Sequence, residues 1–334
     1  MFSWKWKLSE TNQDKPVTVF SLFSCGGGSC MGYKRAGFKI LGNVEIDEKM
    51  NDIYTLNLHP KFNFNMDVRD FVLQKDVPKE LYQLDILDGS PPCTTFSMAG
   101  KREKAWGIEK SFAEGRKVQR LDDLFFSYLD VVEKLKPKIC VAENVEGLVR
   151  GNAKGYVSEI IDRFHEFGYD VQIFLLSSKF MDVPQDRKRV FFIANRMKFP
   201  KLVLDFHEKP IPFGQVRTPH GKQLRNCLYK RILMEMDGKP KSISDARKDG
   251  KTGSFNNVIV WDDQICPTIA SKSLAFRGCD KNYLSNQDII NVQTFPQDYD
   301  FKGCNVQYVC GMSVPPNMMA HIANQIWEQW LSKE

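Results

Sequence analysis

The chain has 334 residues and a mass of 38.5 kDa, with 42% apolar side chains, 26% charged side chains and a net charge of +6. These proportions exclude a mainly disordered chain and are those of about two ordinary domains. No apolar run approaches the roughly 20 residues of a membrane span, and the opening MFSWKWKLSETNQDK lacks the apolar stretch of a secretory signal. The nine cysteines are odd in number and scattered, unlike a secreted disulfide framework, and the pairs Cys25/Cys30 and Cys304/Cys310 are not spaced as a zinc knuckle. An intracellular, reduced protein without a metal is expected.

Apolar runs alternate with amphipathic stretches over the first 195 residues. Val17–Phe23 reads as a buried strand, Phe38–Val44 as a second, and Asp47–Leu58 as a helix after it. Leu84–Asp88 supplies the next strand, Leu121–Leu135 a helix, Ile139–Glu143 a strand and Tyr156–Phe167 a helix; Val171–Leu176 and Val190–Ala194 close the series. Such alternation predicts a doubly wound, mostly parallel α/β sheet, with ligands bound beyond the carboxyl ends of its strands. After Asn195 the periodicity weakens among Pro200, Pro210, Pro212, Pro219 and Pro240. It returns in Asn317–Trp330, whose Met318, Ile322, Ile326 and Trp330 form one helical face. The expected division is a catalytic domain of residues 1–197 and 305–334 with a small domain, 198–304, inserted into it.

The charge is unevenly placed. From Lys198 to Thr252 thirteen basic side chains face six acidic ones, an excess of seven that leaves the rest of the chain near −1. A surface for a polyanion has this signature, and so does a solvated lysine-rich loop.

The first strand runs into Ser24-Cys25-Gly26-Gly27-Gly28-Ser29, a turn that lets a ligand approach the backbone. Glu45 ends the second strand, 22 positions beyond Phe23, where an acid typically accepts hydrogen bonds from ribose hydroxyls. Asp67 stands where it could receive an adenine amino group. Counting from Gly26, the third glycine of a dinucleotide fingerprint falls on Met31, so a phosphate-free adenosine ligand such as S-adenosylmethionine is favoured over a pyrophosphate. A glycine turn that merely packs is the bland alternative.

The strand Leu84–Asp88 leads into Gly89-Ser90-Pro91-Pro92-Cys93, placing a cysteine at the ligand-binding edge, where a stabilised thiolate is a nucleophile. Glu143 stands at the same edge of the following strand. Arg187 and Arg189, alternating by two, point to one face and suit an anion or a carbonyl oxygen. Singly, a buried cysteine, a solvated glutamate and a surface Arg-Lys-Arg run would each be ordinary. Together they mark one edge of one sheet.

The segments FSCGGGSCMGYKRAGF, VEID, GSPPCTTFSMAGK, AENVEGL, VPQDRKRVFFIA, LSNQDIINVQTFPQDY and CGMSVPPNMMAHIA, in this order, resemble the DNA (cytosine-5) methyltransferase family over nearly the whole chain. The resemblance implies a Rossmann-like, S-adenosylmethionine-dependent domain with a small target-recognition domain, acting as a monomer on double-stranded DNA inside the cell. It implies that Cys93 adds to carbon 6 of a flipped-out cytosine, that Glu143 serves ring nitrogen 3 and the exocyclic amine, and that Arg189 binds the base carbonyl. Arg187 would position a phosphate or assist the thiolate. Phe23, Gly26, Gly27, Gly28, Glu45, Ile46, Asp67, Val68, Pro91 and Ser313 would hold the cofactor; Ser90, Ser97, Asn144 and Gln185 would touch substrate. A loop after Ser97, with basic runs at Lys101–Lys104 and Arg116–Arg120, would close over the base.

Three positions depart from the family pattern: Ser21 stands in place of an acid, Cys25 in place of a glycine, and Met312 within the final Gly-Asn-Ser motif. Rival readings are the tRNA-methylating branch of the family, a catalytically weak DNA-binding protein of the same fold, and a dehydrogenase, which the missing third glycine disfavours.

Overall fold

The computed structural model describes residues 1–92, 124–150, 154–247 and 256–333. Cys93, Ser97 and both basic runs of the expected closing loop lie outside the described residues. The chain forms two compact units: Asn12–Leu176, Lys188–Leu204 and Ile322–Glu334 make one, and Met1–Thr11, Ser177–Arg187 and Asp205–His321 make the other. Among the described residues no helix is long and apolar enough to cross a membrane.

The first unit is built on strands β1 (Thr18–Leu22), β2 (Lys39–Val44), β3 (Phe62–Phe64), β4 (Ile86–Gly89), β5 (Ile139–Val145) and β6 (Asp170–Ser177). After the short β7 (Gln185–Asp186), strand β8 (Lys188–Asn195) completes a seven-stranded sheet of order β3-β2-β1-β4-β5-β8-β6. From β3 to β5 neighbouring strands run parallel, whereas β8 lies antiparallel to β5. The order reverses between β1 and β4, which is the switch point where an open sheet of this kind binds ligands. This is the doubly wound, mostly parallel sheet predicted above. The short β3 is an addition to it.

Helices α1 (Gly28–Arg35), α2 (Glu48–Leu58), α3 (Val68–Leu73), α4 (Leu124–Leu135) and α5 (Lys154–Glu166) connect the strands. Phe20, Leu22, Leu87, Cys140, Ala142 and Phe192 form one face of the sheet and pack with Phe71 of α3, Phe125 and Leu129 of α4 and Phe164 of α5 in a continuous apolar core. Close approach shapes this face. A Cβ on Gly89 would lie 2.7 Å from the Tyr128 ring, whose hydroxyl donates to the Leu87 carbonyl at 3.0 Å.

The opposite face is different. The register places Ser21 of β1 beside Asn43 of β2 and Asp88 of β4, so three buried polar residues cross the middle of the sheet. Tyr33 of α1 donates to Asp88, and the Asn43 amide donates to Asn51 of α2, which places these two helices on the polar face.

The second unit contains α6 (Cys227–Glu235), α7 (Ile243–Ala246) and short strands β9 (Val258–Val260), β10 (Cys266–Pro267) and β11 (Ala275–Arg277). Strand β9 pairs with β11 and β7 with β10. Leu224, Leu233, Ile243, Ile259 and Phe276 make a small apolar cluster. Helices α8 (Asn286–Val292) and α9 (Val306–Met312) follow, and α10 (Pro316–Gln329) is the one-faced helix predicted from the final periodicity. The N-terminal segment is fastened within this unit. Trp6 Nε1 donates to the Thr294 carbonyl at 2.9 Å, and the Leu8 and Ser9 amides donate to the Asp298 carboxylate.

From Ile322 onward α10 belongs to the sheet-bearing unit. There Asn324 accepts from Lys15, and Trp330 stacks on Phe199 and donates to the Pro200 carbonyl.

Candidate active site

The glycine turn leaves β1 through Phe23 and Cys25, both with positive φ, and enters α1 through Gly27 at φ 82°. A Cβ on Gly27 would also stand 2.5 Å from Leu58 Cδ1 and 3.1 Å from the Tyr54 ring. Gly27 is therefore required by conformation and by close packing against α2. No side chain caps the start of α1, where Gly27 stands at the N-cap.

Glu45 stands just beyond β2, where the chain reaches the carboxyl edge. Its two oxygens accept from the Cys25 amide at 2.7 Å and the Asp47 amide at 2.8 Å. Burial pushes its carboxyl up to about 6 even though those amides favour the ionised form. Asp67 caps α3 and holds Arg69 through both carboxylate oxygens. Ile46 is half-buried, whereas the Val68 side chain belongs to the apolar core. A positive-φ glycine turn, an uncapped helix start and carboxylates after successive strands, with no phosphate-binding fingerprint, fit an adenosine-type ligand without a pyrophosphate.

The chemical edge is built from β4, β5 and β8. Because β8 is antiparallel to β5, its first residues lie against the last residues of β5, with Arg189 opposite Val145 and Phe191 opposite Glu143. Arg189 and Glu143 are diagonal neighbours, and Arg189 Nε stands 2.8 Å from Glu143 Oε1. Burial lowers the proton affinity of Arg189 and Glu143 opposes that effect, so the guanidinium keeps its charge. The Asn144 amide donates to the Pro91 carbonyl at 3.1 Å, tying the end of β5 to the turn that follows Ser90.

Three expected site residues belong to the other unit. Gln185 is fully buried with both ends of its amide engaged, donating to Gln293 Oε1 at 2.6 Å and accepting from the Ile269 amide. Gln293 in turn donates to the carbonyls of Cys310 and Ser313. Arg187, also buried, donates to the Gly311 carbonyl at 2.9 Å. The Ser313 hydroxyl donates to the Val309 carbonyl at 2.8 Å. The two arginines, expected on one face, thus engage different partners: a carboxylate for Arg189, main-chain carbonyls for Arg187.

Asp88 is absent from the expected site. It is 1% exposed and accepts from the Ser21 hydroxyl at 2.8 Å and the Tyr33 hydroxyl at 3.3 Å. The available signal was an acid within the otherwise apolar Ile86-Leu87-Asp88 strand.

Sheet order, glycine turn and carboxylates together define a doubly wound α/β domain whose switch point suits an adenosine-type ligand. The description "C-5 cytosine-specific DNA methylase" matches residues 17–260. The chain is 34% identical to Type II methyltransferase M.NgoPII of Neisseria gonorrhoeae, over 93% of this chain and 95% of that one. It is 27% identical to Type II methyltransferase M.FnuDI of Fusobacterium nucleatum, over 95% and 96%. A crystal structure of a putative DNA modification methyltransferase encoded within a prophage of E. coli superposes with a TM-score of 0.70 at 16% identity, covering 94% of this chain and 99% of that chain. The chain belongs to the C-5 cytosine-specific DNA methylase family. It is a DNA (cytosine-5) methyltransferase whose methyl donor is S-adenosylmethionine.

Proposed function

We propose that the protein methylates carbon 5 of a cytosine flipped out of double-stranded DNA, through a transient covalent bond to Cys93. The observation that carries this reading is the Glu143–Arg189 ion pair at the carboxyl edge, one strand from the turn that leads to Cys93. Carbon 5 of cytosine is a weak nucleophile. Addition of the Cys93 thiolate to carbon 6 moves an electron pair toward carbon 5, while Glu143 holds a proton at ring nitrogen 3 so that the adduct avoids full negative charge. Arg189 faces the base carbonyl and orients Glu143. Asn144 holds the Pro91 turn, and Arg187 and Gln185 act as positioning residues inside their own unit. Glu45 receives the ribose hydroxyls and Asp67 the adenine amine. Bound S-adenosylmethionine supplies an electrophilic methyl group on a sulfonium. Loss of the carbon-5 proton and elimination of Cys93 then restore the aromatic base and the free enzyme.

Extruding the base costs a few kcal/mol. Residues 198–304, with their basic excess, are the proposed target-recognition region, and the chain works as a single copy. The names of the relatives, both Type II methyltransferases, support a methyltransferase role.

Incubation with a tritiated methyl donor and either duplex DNA or tRNA tests the substrate. Label in duplex DNA is expected, and its loss in Cys93→Ser, with DNA binding largely retained. Label in tRNA alone would reject the substrate, and near-native turnover by Cys93→Ser would reject the nucleophile.

A further inference from the structure

The proposed mechanism leaves the buried acid of the sheet's polar face, Asp88, without a task. Asp88 lies one residue before the end of β4, directly across from Ser21 of β1, so it stands between the two strands that form the switch point. Folding has placed a carboxyl in a position where an apolar side chain would be far less costly. Ser21, which stands where the family pattern has an acid, is one of its hydrogen-bond donors.

The donor and the product at this edge differ by one charge. The sulfonium of S-adenosylmethionine is cationic, and the thioether of S-adenosylhomocysteine is neutral. Their adenosine, amine and carboxylate are the same. Glu45 and Asp67 face parts common to both, so neither distinguishes them. We propose that Asp88 is the specificity-determining residue by which the site prefers the charged methyl donor to its spent, uncharged product. This rests on the donor seat at the switch point described above.

The groups around Asp88 leave it as the one that titrates near neutrality. From α1, Tyr33 and Cys30 face it; burial holds the tyrosine well above its ordinary range and pushes the thiol up to about 12, so both stay neutral. From α4, Tyr128 is likewise held up by burial. From β5, Glu143 acts on Asp88 as a like charge and is itself paired with Arg189. Ser21 and Ser29 donate toward the carboxylate and favour its charge. Burial outweighs them and pushes Asp88 up to about 7. Its charge thus appears as the pH rises through neutrality, and a buried carboxylate acts on a nearby cation with little solvent screening.

Calorimetric titration of the full chain with S-adenosylmethionine, S-adenosylhomocysteine and sinefungin, whose amine replaces the sulfonium, tests this between pH 5.5 and 8.5. The ratio of product Kd to donor Kd should rise about tenfold through pH 7, with sinefungin following the donor. Asp88→Asn keeps an acceptor for one hydroxyl and offers an N–H to the oxygen of the other, and it should give a low ratio that does not change with pH. Ser21→Ala keeps the acid but removes a donor, so the midpoint should move to higher pH; it also tests the idea should the asparagine variant fail to fold. A wild-type ratio independent of pH, with both ligands bound, would overturn the role of Asp88. Binding of neither ligand would overturn the donor seat as well.

Discussion

Arg189 Nε and Glu143 Oε1 are 2.8 Å apart, although 46 residues separate them and their strands run in opposite directions. Antiparallel pairing of β8 with β5 brings the beginning of one strand to the end of the other. The cation thereby reaches the edge where β5 ends and Glu143 stands. Removing one member of so enclosed a pair strands the other. Arg189→Ala should cost about 3 kcal/mol of stability in chemical denaturation and about a hundredfold in methyl transfer. Glu143→Gln should lose a comparable factor in turnover with a smaller loss of stability. The double variant should fall short of the sum of the singles by about 1–3 kcal/mol, and simple additivity would show that the two side chains work separately.

Glu45 predicts a pH dependence of a different kind. Burial pushes its carboxyl up to about 6, and in the proposed donor seat only the ionised form would accept from both ribose hydroxyls. Affinity for donor and product alike should fall by up to about tenfold for each pH unit below 6, measured calorimetrically. Glu45→Gln should bind both weakly and without that dependence. Since the effect is common to the two ligands, it leaves untouched the ratio that reports on Asp88.

Gly27→Ala tests the glycine turn. The substitution meets two obstacles, a φ of 82° and a Cβ 2.5 Å from Leu58 Cδ1. It should lower stability by about 1–3 kcal/mol and weaken donor binding. Adding Leu58→Ala removes the closest collision and keeps the backbone strain and the tight approach to the Tyr54 ring, so it should not recover donor affinity. Full recovery, read by the same titration, would mean that the turn only packs.

The N-terminal segment should matter for stability and not for chemistry. Trp6→Ala removes a buried indole and its bond to the Thr294 carbonyl, a loss of about 3–5 kcal/mol. Asp298 is held below its usual range by the amides and hydroxyl that donate to it, although burial opposes them. Its contribution is therefore present above the unfolded-state value and is lost as pH falls through the lower folded-state value. Denaturation curves of Trp6→Ala and Asp298→Ala, beside turnover of the fraction still folded, check both statements.

Legibility followed the physics of each element. Val17–Phe23 and Ile139–Glu143 were readable as buried strands because a strand covered on both faces is a nearly continuous apolar run. Strand β3 was not, since Phe62–Phe64 is too short to show a period. Glu45 and Glu143 were readable as edge residues because the ends of parallel strands converge on one edge, whereas Arg189 opens β8 and reaches that edge through antiparallel pairing with β5. Gln185 was visible in its motif, but its partner Gln293 is 108 residues away, a pairing of amides that no local pattern announces. Asp88 escaped notice for the opposite reason. It sits inside a strand, and only the register with Ser21 gives it a place. Nothing in the spacing of Trp4 and Trp6 signals that Trp6 packs near Thr294.

The most direct measurement uses duplex DNA carrying 5-fluorocytosine at the methylated position, because fluorine cannot leave carbon 5 as a proton does. With S-adenosylmethionine present, a protein–DNA adduct stable to denaturation should form, and the attached peptide should contain Cys93. A protein that methylates ordinary duplex DNA yet forms no adduct, or forms one at another residue, would contradict the mechanism.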